Sequence, residues 1–164
     1  MLALLLTVAV GMQAQSLVGS WKTTEKVEGG VVDMYFVFGE STLTMNLKMT
    51  YPNAELGTIY MSVKLPGSYS RKGNLLNINM RKKDATIDID RIEFNSMIDA
   101  VLKQQPELKK QLMEEMEKEM AKDKNNIISD FPDKETMKIK TLTDTRLVLD
   151  NGDEDKTFTK VAKK

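Results

Sequence analysis

The strongest constraint on the fold is a strict alternation of apolar and polar residues between residues 43 and 50. Successive side chains of a β-strand point to opposite faces, so this pattern predicts a strand with one buried face and one solvent-exposed face. The apolar positions of the run are Leu43, Met45, Leu47 and Met49. The same alternation recurs, between turn-forming segments, at residues 32–38, 59–65, 76–80 and 87–90. Many short strands with tight turns predict an all-β, mainly antiparallel meander.

A helical block interrupts the strands at about residues 95–133. Ser96 is the predicted N-cap of a first helix, and Pro106 fits the first position of a second helix that ends near Lys124. An apolar stripe on the second helix consists of Leu108, Leu112, Met113, Met116 and Met120. Three roles are open for the insertion: a lid over a cavity, a plug that fills the core, or a face that docks a protein partner. We favour lid or plug, because the apolar residues of the returning chain would hold it down; they are Ile127, Ile128 and Phe131.

Composition narrows the function classes. The chain has 164 residues, the length of one domain, with 24 basic and 24 acidic residues. This balance gives no electrostatic reason to expect nucleic acid or an anionic membrane surface as a partner. The sequence contains no histidine and no cysteine, which removes His-based triads, the usual zinc sites and any disulfide. We therefore expect a non-enzymatic protein with no metal site and no cofactor.

Two acidic segments are predicted to be solvated surface. Asp88 and Asp90 alternate with isoleucines, so they should face away from the apolar side of their strand, and Glu93 is assigned to the same surface. Residues 150–155 contain acids typical of calcium loops, but the ligand spacing and the distal glutamate are missing. A hairpin turn at Asn151-Gly152 is the better interpretation.

The N-terminal segment resembles an export signal. Residues 2–10 are apolar except for Thr7, and small or polar residues follow, so we expect a signal peptide over residues 1–16 and a mature start between Gln15 and Gly19. No basic residue precedes the run, so the position of the true start codon stays open. A first strand is the alternative, which the scarcity of β-branched residues disfavours. We expect a periplasmic, extracellular or cell-surface protein with no integral membrane segment in the mature chain.

A family resemblance rests on Gly19-Ser20-Trp21-Lys22, which opens the series of strands. This motif resembles the opening of lipocalins, and more closely that of lipocalin-like domains of secreted Gram-negative bacterial proteins. Residues 67–76 and 142–149 look like the mid-domain and penultimate hairpins of those domains. The Thr-Asp-Tyr motif of typical lipocalins is absent, and the helical insertion departs from the family pattern.

The resemblance implies a calycin-type, up-and-down β-barrel of about eight to ten strands, with the helical pair inserted before the last strands. Residues 17–164 would form this single domain. It also implies that Trp21 plugs the closed end and packs on Arg146 through a cation–π contact.

A ligand, on this resemblance, would lie inside the barrel. We expect a small apolar molecule, because methionine-rich interiors suit adaptable apolar sites, although an ordinary core that uses methionine stays open as the alternative. The candidate ligand-binding residues are Phe36, Met45, Leu47, Met61, Val63, Tyr69 and Ile78. The alternative function is a structural or protein-interaction module that docks a protein partner through helix 106–124. An apolar cavity of about 300 Å³ or more would favour ligand binding, and a filled interior would favour the interaction module.

Overall fold

The computed structural model describes residues 15–162. Most of the expected signal peptide (1–16), and the alternative strand at residues 2–10, therefore lie outside the described residues. Within residues 15–162 there are nine strands, two α-helices and a short 3-10 turn. The strands are β1 (Gly19–Val27), β2 (Gly30–Phe38), β3 (Thr42–Asn53), β4 (Gly57–Lys72), β5 (Leu75–Met80), β6 (Thr86–Phe94), β7 (Lys134–Leu142), β8 (Arg146–Asp150) and β9 (Asp155–Val161). The helices are α1 (Ser96–Gln104) and α2 (Pro106–Ser129).

Eight of the strands described between residues 15 and 162 close into an antiparallel barrel. The order around the barrel is β1-β2-β3-β4-β5-β7-β8-β9, and β9 pairs with β1 to complete the ring. Barrel neighbours follow one another along the chain, with β6 as the strand left outside the ring, so the barrel is of the up-and-down type. The predicted all-β barrel of eight to ten strands with a helical pair before the last strands is confirmed.

The ninth strand, β6, extends the sheet outside the ring. One edge of β4 pairs with β3, while its other edge pairs first with β6, over residues 57–64, and then with β5, over residues 67–72. The change of partner falls at Pro66-Gly67. A Cβ at Gly67 would come within 2.6 Å of the carbonyl oxygen of Asn79, so glycine permits the close approach of β5. Pro66 is a typical turn residue, but it lies inside β4, which continues to Lys72.

The end of the barrel at Trp21 is filled by side chains. Trp21 is 0% exposed, and its indole Nε1 donates a hydrogen bond to the carbonyl oxygen of Leu17 at 2.7 Å. The Nζ atom of Lys160, its partner in β9, lies 5.1 Å from the ring centroid. The predicted buried plug is confirmed, but the predicted Arg146 contact is wrong: the exposed Arg146 pairs with Thr159 in β9, and Lys160 supplies the cation.

The two helices begin and end where side chains find partners. The N-cap of α1 is Asn95, whose Oδ1 accepts a hydrogen bond from the Ile98 N–H at 3.0 Å, and not Ser96 as the sequence predicts. Pro106 is the first residue of α2, as predicted. The predicted end near Lys124 is wrong, because α2 continues to Ser129 and Ile128 joins the barrel core at 4% exposure. No helix within residues 15–162 combines the length and the apolar character needed to cross a membrane.

The apolar stripe of α2 covers the sheet extension. Helix α2 packs against β6. The groove between helix and sheet is lined by apolar residues of the helix (Leu112, Met116, Met120) and of the sheet (Ile59, Met61, Ile89), together with Glu115 and Glu119 of the helix. Leu108, at the start of the stripe, is 42% exposed. A lid is expected to cover a cavity lined by residues such as Phe36, Met45, Met61 and Tyr69. Helix α2 covers the β4–β6 face, where Met61 is the one of these four that lines the groove, because β6 provides an apolar surface outside the ring.

The two acidic segments lie on the surface, as predicted. Asp88, Asp90 and Glu93 are exposed, and the hydroxyl of Ser62 donates a hydrogen bond to Asp90 Oδ1 at 2.8 Å. In the β8–β9 turn, the Asn151 side-chain oxygen accepts the N–H groups of Asp153 and Glu154, both at 3.1 Å. The Asn151 side chain therefore stabilises the turn through these two hydrogen bonds, and the hairpin prediction is confirmed.

A candidate ligand cavity at the open end of the barrel

The barrel end opposite Trp21 contains a cavity of about 210 Å³ that is open to solvent. Inward-facing positions of β1 and β9 run from Trp21 and Lys160 at the filled end to Glu25 and Lys156 at the open end. The cavity is bordered by Met34, Phe36, Met45, Met80, Phe131, Pro132, Glu135, Met137, Leu149, Asn151, Lys156 and Phe158. Its volume is below the usual range of ligand pockets, about 300–1,000 Å³, so it fits only a small ligand.

Two stacked phenylalanines form a buried part of the cavity wall. The ring centroids of Phe36 and Phe158 are 5.1 Å apart with an interplanar angle of 22°, and the residues are 3% and 1% exposed. Phe36 also meets Phe38 edge-on, with centroids 5.9 Å apart. This aromatic contact continues from the cavity into the filled core, which fixes the position of the wall.

Four methionines from four different strands complete the apolar wall. They are Met34 on β2, Met45 on β3, Met80 on β5 and Met137 on β7. The thioether side chain is unbranched and polarisable, so it adapts its shape to different apolar surfaces at low cost. The wall can therefore adjust to a small guest without moving the strands.

Charged groups are confined to the rim. The Lys156 ammonium lies 3.0 Å from a carboxylate oxygen of Glu25 and 3.2 Å from one of Glu154. Burial lowers the pKa of Lys156, but the hydrogen bonds to these two carboxylates outweigh burial and leave the pKa above its ordinary value. Burial also raises the pKa of Glu135, and the nearby charge of Lys156 offsets this only partly.

The seven predicted ligand-binding residues separate into three groups. Phe36 and Met45 line the cavity. Leu47, Val63 and Ile78 belong to the buried core but do not border the cavity. The binding roles of these five stay a prediction.

The other two predicted residues have different neighbours. Met61 faces α2 across the groove on the sheet extension. Tyr69 packs edge-on against Phe38, with centroids 5.0 Å apart, and its hydroxyl donates a hydrogen bond to the Gly39 carbonyl at 2.8 Å. Tyr69 thus stabilises the filled end of the barrel, and its role in binding, like that of Met61, stays a prediction.

The rim residues that the sequence analysis missed carry a periodic signal. Glu135 stands two residues before Met137, and Lys156 stands two residues before Phe158, so each charged residue shares the inward face with an apolar neighbour. A charged residue in the apolar phase of a strand indicates the mouth of a barrel. The sequence predicts that Phe131 helps to hold the returning chain down, and Phe131 packs against the core at the cavity edge.

No protein-family model and no curated protein matches the chain. Two solved structures are similar to it. An uncharacterized protein from Bacteroides eggerthii DSM 20697 aligns with 89% of this chain and 100% of its own, at 17% identity and a TM-score of 0.43. A lipocalin-like protein from Bacteroides uniformis ATCC 8492 aligns with 88% of this chain and 98% of its own, at 18% identity and a TM-score of 0.42.

The topology of the chain itself decides its fold class. Eight antiparallel strands, joined in chain order and closed by β1 and β9, form the up-and-down barrel that lipocalins share. Trp21 at the filled end and the cavity at the other end complete the same arrangement. The described part of the chain therefore has the lipocalin-like, calycin-type β-barrel fold.

Proposed function

We propose that this protein is an exported, non-enzymatic binding protein that holds a small apolar ligand in the cavity at the open end of the barrel. The observation that carries the proposal is the cavity wall itself, which combines three aromatic rings and four methionines at the solvent-open end of an otherwise filled barrel. Apolar concave sites with a few polar groups at the edge are the usual form of small-molecule sites.

The size of the cavity limits the ligand. An engineered apolar cavity of about 150 Å³ in another protein binds benzene. A cavity of about 210 Å³ therefore accepts one ring or a chain of about six carbons, and a longer ligand would extend into solvent between the rim residues. The proposed ligand class is a small apolar or amphiphilic molecule whose polar end remains at the rim.

Export and the absence of catalysis are proposed from the sequence. The apolar run at residues 2–10 supports delivery to the periplasm, the cell surface or the medium. The lack of histidine and cysteine among the 164 residues supports a binding role over an enzymatic one.

A second candidate function is docking of a protein partner through the helices. Three apolar side chains of α1 and α2 are exposed: Met97 at 78%, Val101 at 48% and Leu108 at 42%. Exposed apolar side chains on two helices that contact each other support a docking role. The cavity of about 210 Å³ does not reach the volume of about 300 Å³ at which size alone would favour ligand binding. The ligand proposal ranks first on its formed concave apolar wall and not on cavity size.

The ligand proposal is tested by titrating hexanol into protein with ¹³C-methyl methionine. Binding in the cavity should shift the methyl resonances of Met34, Met45, Met80 and Met137. Met97 serves as an internal reference, since it is 78% exposed on α1. Shifts confined to Met61, Met116 and Met120 would place the guest in the helix groove and overturn the cavity as the site.

A cavity-filling pair of variants provides the matched control. Met34→Trp adds volume to a residue of the cavity wall, so it should weaken hexanol binding by about tenfold or more. Met49→Trp enlarges a half-buried methionine of β3 that packs on the core but does not border the cavity. Equal hexanol affinity in the two folded variants would contradict the proposal.

A further inference from the structure

We propose that the rim of the cavity selects ligands with a cationic amine at the polar end, and that Glu135 is the residue that receives the amine. This inference rests on the proposed binding function and specifies its ligand class. Glu135 and Lys156 are the two charged residues among those that border the cavity within residues 15–162. A cationic ligand would pair with Glu135 and an anionic ligand with Lys156. The preferred ligand charge therefore depends on which of these two side chains is not already held in an ion pair.

Lys156 is already engaged. Two carboxylates lie within 3.2 Å of its ammonium, one from Glu25 on β1 and one from Glu154 in the β8–β9 turn. An anionic ligand would have to displace one of them, leaving that carboxylate beside the incoming anion. With both in place, the Lys156 group has a net charge of −1, which repels an anionic head group.

Glu135 is the carboxylate on the cavity side of the rim. It is half-buried, and its side chain makes no ion pair with another side chain described in residues 15–162. Burial disfavours its ionised form and raises its pKa. A carboxylate desolvated in this way is stabilised by a charge-assisted hydrogen bond from a cation.

The geometry of the strand directs Glu135 toward a guest. Glu135 and Met137 lie on the same face of β7, and both border the cavity. An alkyl chain against Met137 therefore has its polar end near Glu135. A protonated amine at that end would neutralise the excess negative charge of the rim, formed by Glu25, Glu135 and Glu154 against Lys156.

The test compares three probes with one chain length at neutral pH: hexylamine, hexanol and hexanoate. Affinity is measured from the methyl shifts of Met34, Met45, Met80 and Met137. We expect hexylamine to bind about tenfold more tightly than hexanol, and hexanoate to bind most weakly, because a charge-assisted contact is stronger than a neutral one. Glu135→Gln should abolish the preference for the amine, so that the ratio of hexylamine affinity to hexanol affinity falls from about ten to about one.

The control variant is Glu117→Gln, which removes the same charge from an exposed position on α2. It should keep the preference, which separates a local contact at Glu135 from a general effect of net charge. If hexanol binds in the cavity but hexanoate binds as tightly as hexylamine, the inference is wrong and the proposed function stands. If none of the three probes shifts the cavity methionines, both are overturned.

Discussion

Glu25 and Lys156 bridge the open part of the barrel seam, with 3.0 Å between the Glu25 Oε1 and Lys156 Nζ atoms. The β1–β9 ladder pairs Ser20 with Val161, Trp21 with Lys160 and Lys22 with Thr159, and stops there. Continued in the same register, it would place Glu25 opposite Lys156. The ion pair therefore takes the place of the missing backbone hydrogen bonds beside the cavity.

This relationship predicts a measurable but small coupling. A double-mutant cycle with Glu25→Gln and Lys156→Met should give about 0.2–1 kcal/mol of coupling at pH 7 in urea melts, the range of partly exposed ion pairs. The pKa of Lys156 is raised above its ordinary value of 10.5. The contribution should thus be complete from neutral pH up to about pH 10.5 and disappear as pH rises through the folded-state pKa of Lys156. A coupling that persists at higher pH would contradict an ionic origin.

Trp21 should be the most costly residue of the filled end to truncate. Trp21→Ala removes a fully buried side chain and its hydrogen bond to Leu17, so we expect a loss of about 3–5 kcal/mol in the free energy of unfolding. Circular dichroism in urea is the suitable measurement, because the variant lacks tryptophan. A loss below about 1 kcal/mol would show that Trp21 does not close the barrel.

The cation over Trp21 can be identified by two alanine variants. Lys160→Ala should cost about 0.5–1 kcal/mol, since its ammonium lies 5.1 Å from the ring centroid. Arg146→Ala, on an exposed side chain, should stay within about 0.5 kcal/mol of the wild type. The reverse order in urea melts would restore the arginine contact that the family resemblance implies.

Helix capping gives a second matched pair. Asn95→Ala removes the acceptor for the Ile98 N–H and should destabilise the protein by about 0.5–2 kcal/mol. Ser96→Ala, at the position that the sequence favours as the cap, should change the free energy of unfolding by less than about 0.5 kcal/mol. A larger loss for Ser96→Ala would mean that α1 begins one residue later than the structure places it.

Helix α2 should be stable at its C-terminal end and weakly protected at its N-terminal end. Ile128 is 4% exposed, whereas Leu108 is 42% exposed. Amide exchange should therefore be slow around Ile128 and fast around Leu108, since protection follows burial. Uniformly fast exchange along α2 would show that the helix is not docked.

Two neighbouring isoleucines test the same docking. Ile128→Ala should cost about 2–5 kcal/mol, because it removes a side chain from the barrel core. Ile127→Ala, at a half-buried position, should cost clearly less. Equal losses in the free energy of unfolding, measured in urea melts, would mean that the end of α2 is rotated about its axis, so that Ile128 does not face the core more than Ile127.

The sequence by itself determined the strands, the helical pair and the buried tryptophan. The alternation from Leu43 to Met49 is a local property, since the period of two decides which side chains share a face before any partner strand is present. The alternation also predicts which side chains face the interior, and Phe36 and Met45, two of these, line the cavity. The burial of Trp21 was implied by the family resemblance of Gly19-Ser20-Trp21-Lys22, and the side chain is fully buried.

Only the tertiary structure decided which strands pair, which cation lies over Trp21 and where the cavity forms. Pro66 is a turn former by local preference, yet it lies inside β4 because that strand changes partner there. Lys160 and Arg146 could both reach a tryptophan in principle, and the β1–β9 register selects Lys160. The cavity, with Glu135 and Lys156 at its rim, depends on how side chains from six strands and from the Phe131–Pro132 segment fill one volume. The shape of the cavity depends on residues that are far apart in the sequence, so no local alternation predicts it. The two faces of each strand, in contrast, follow from the local alternation.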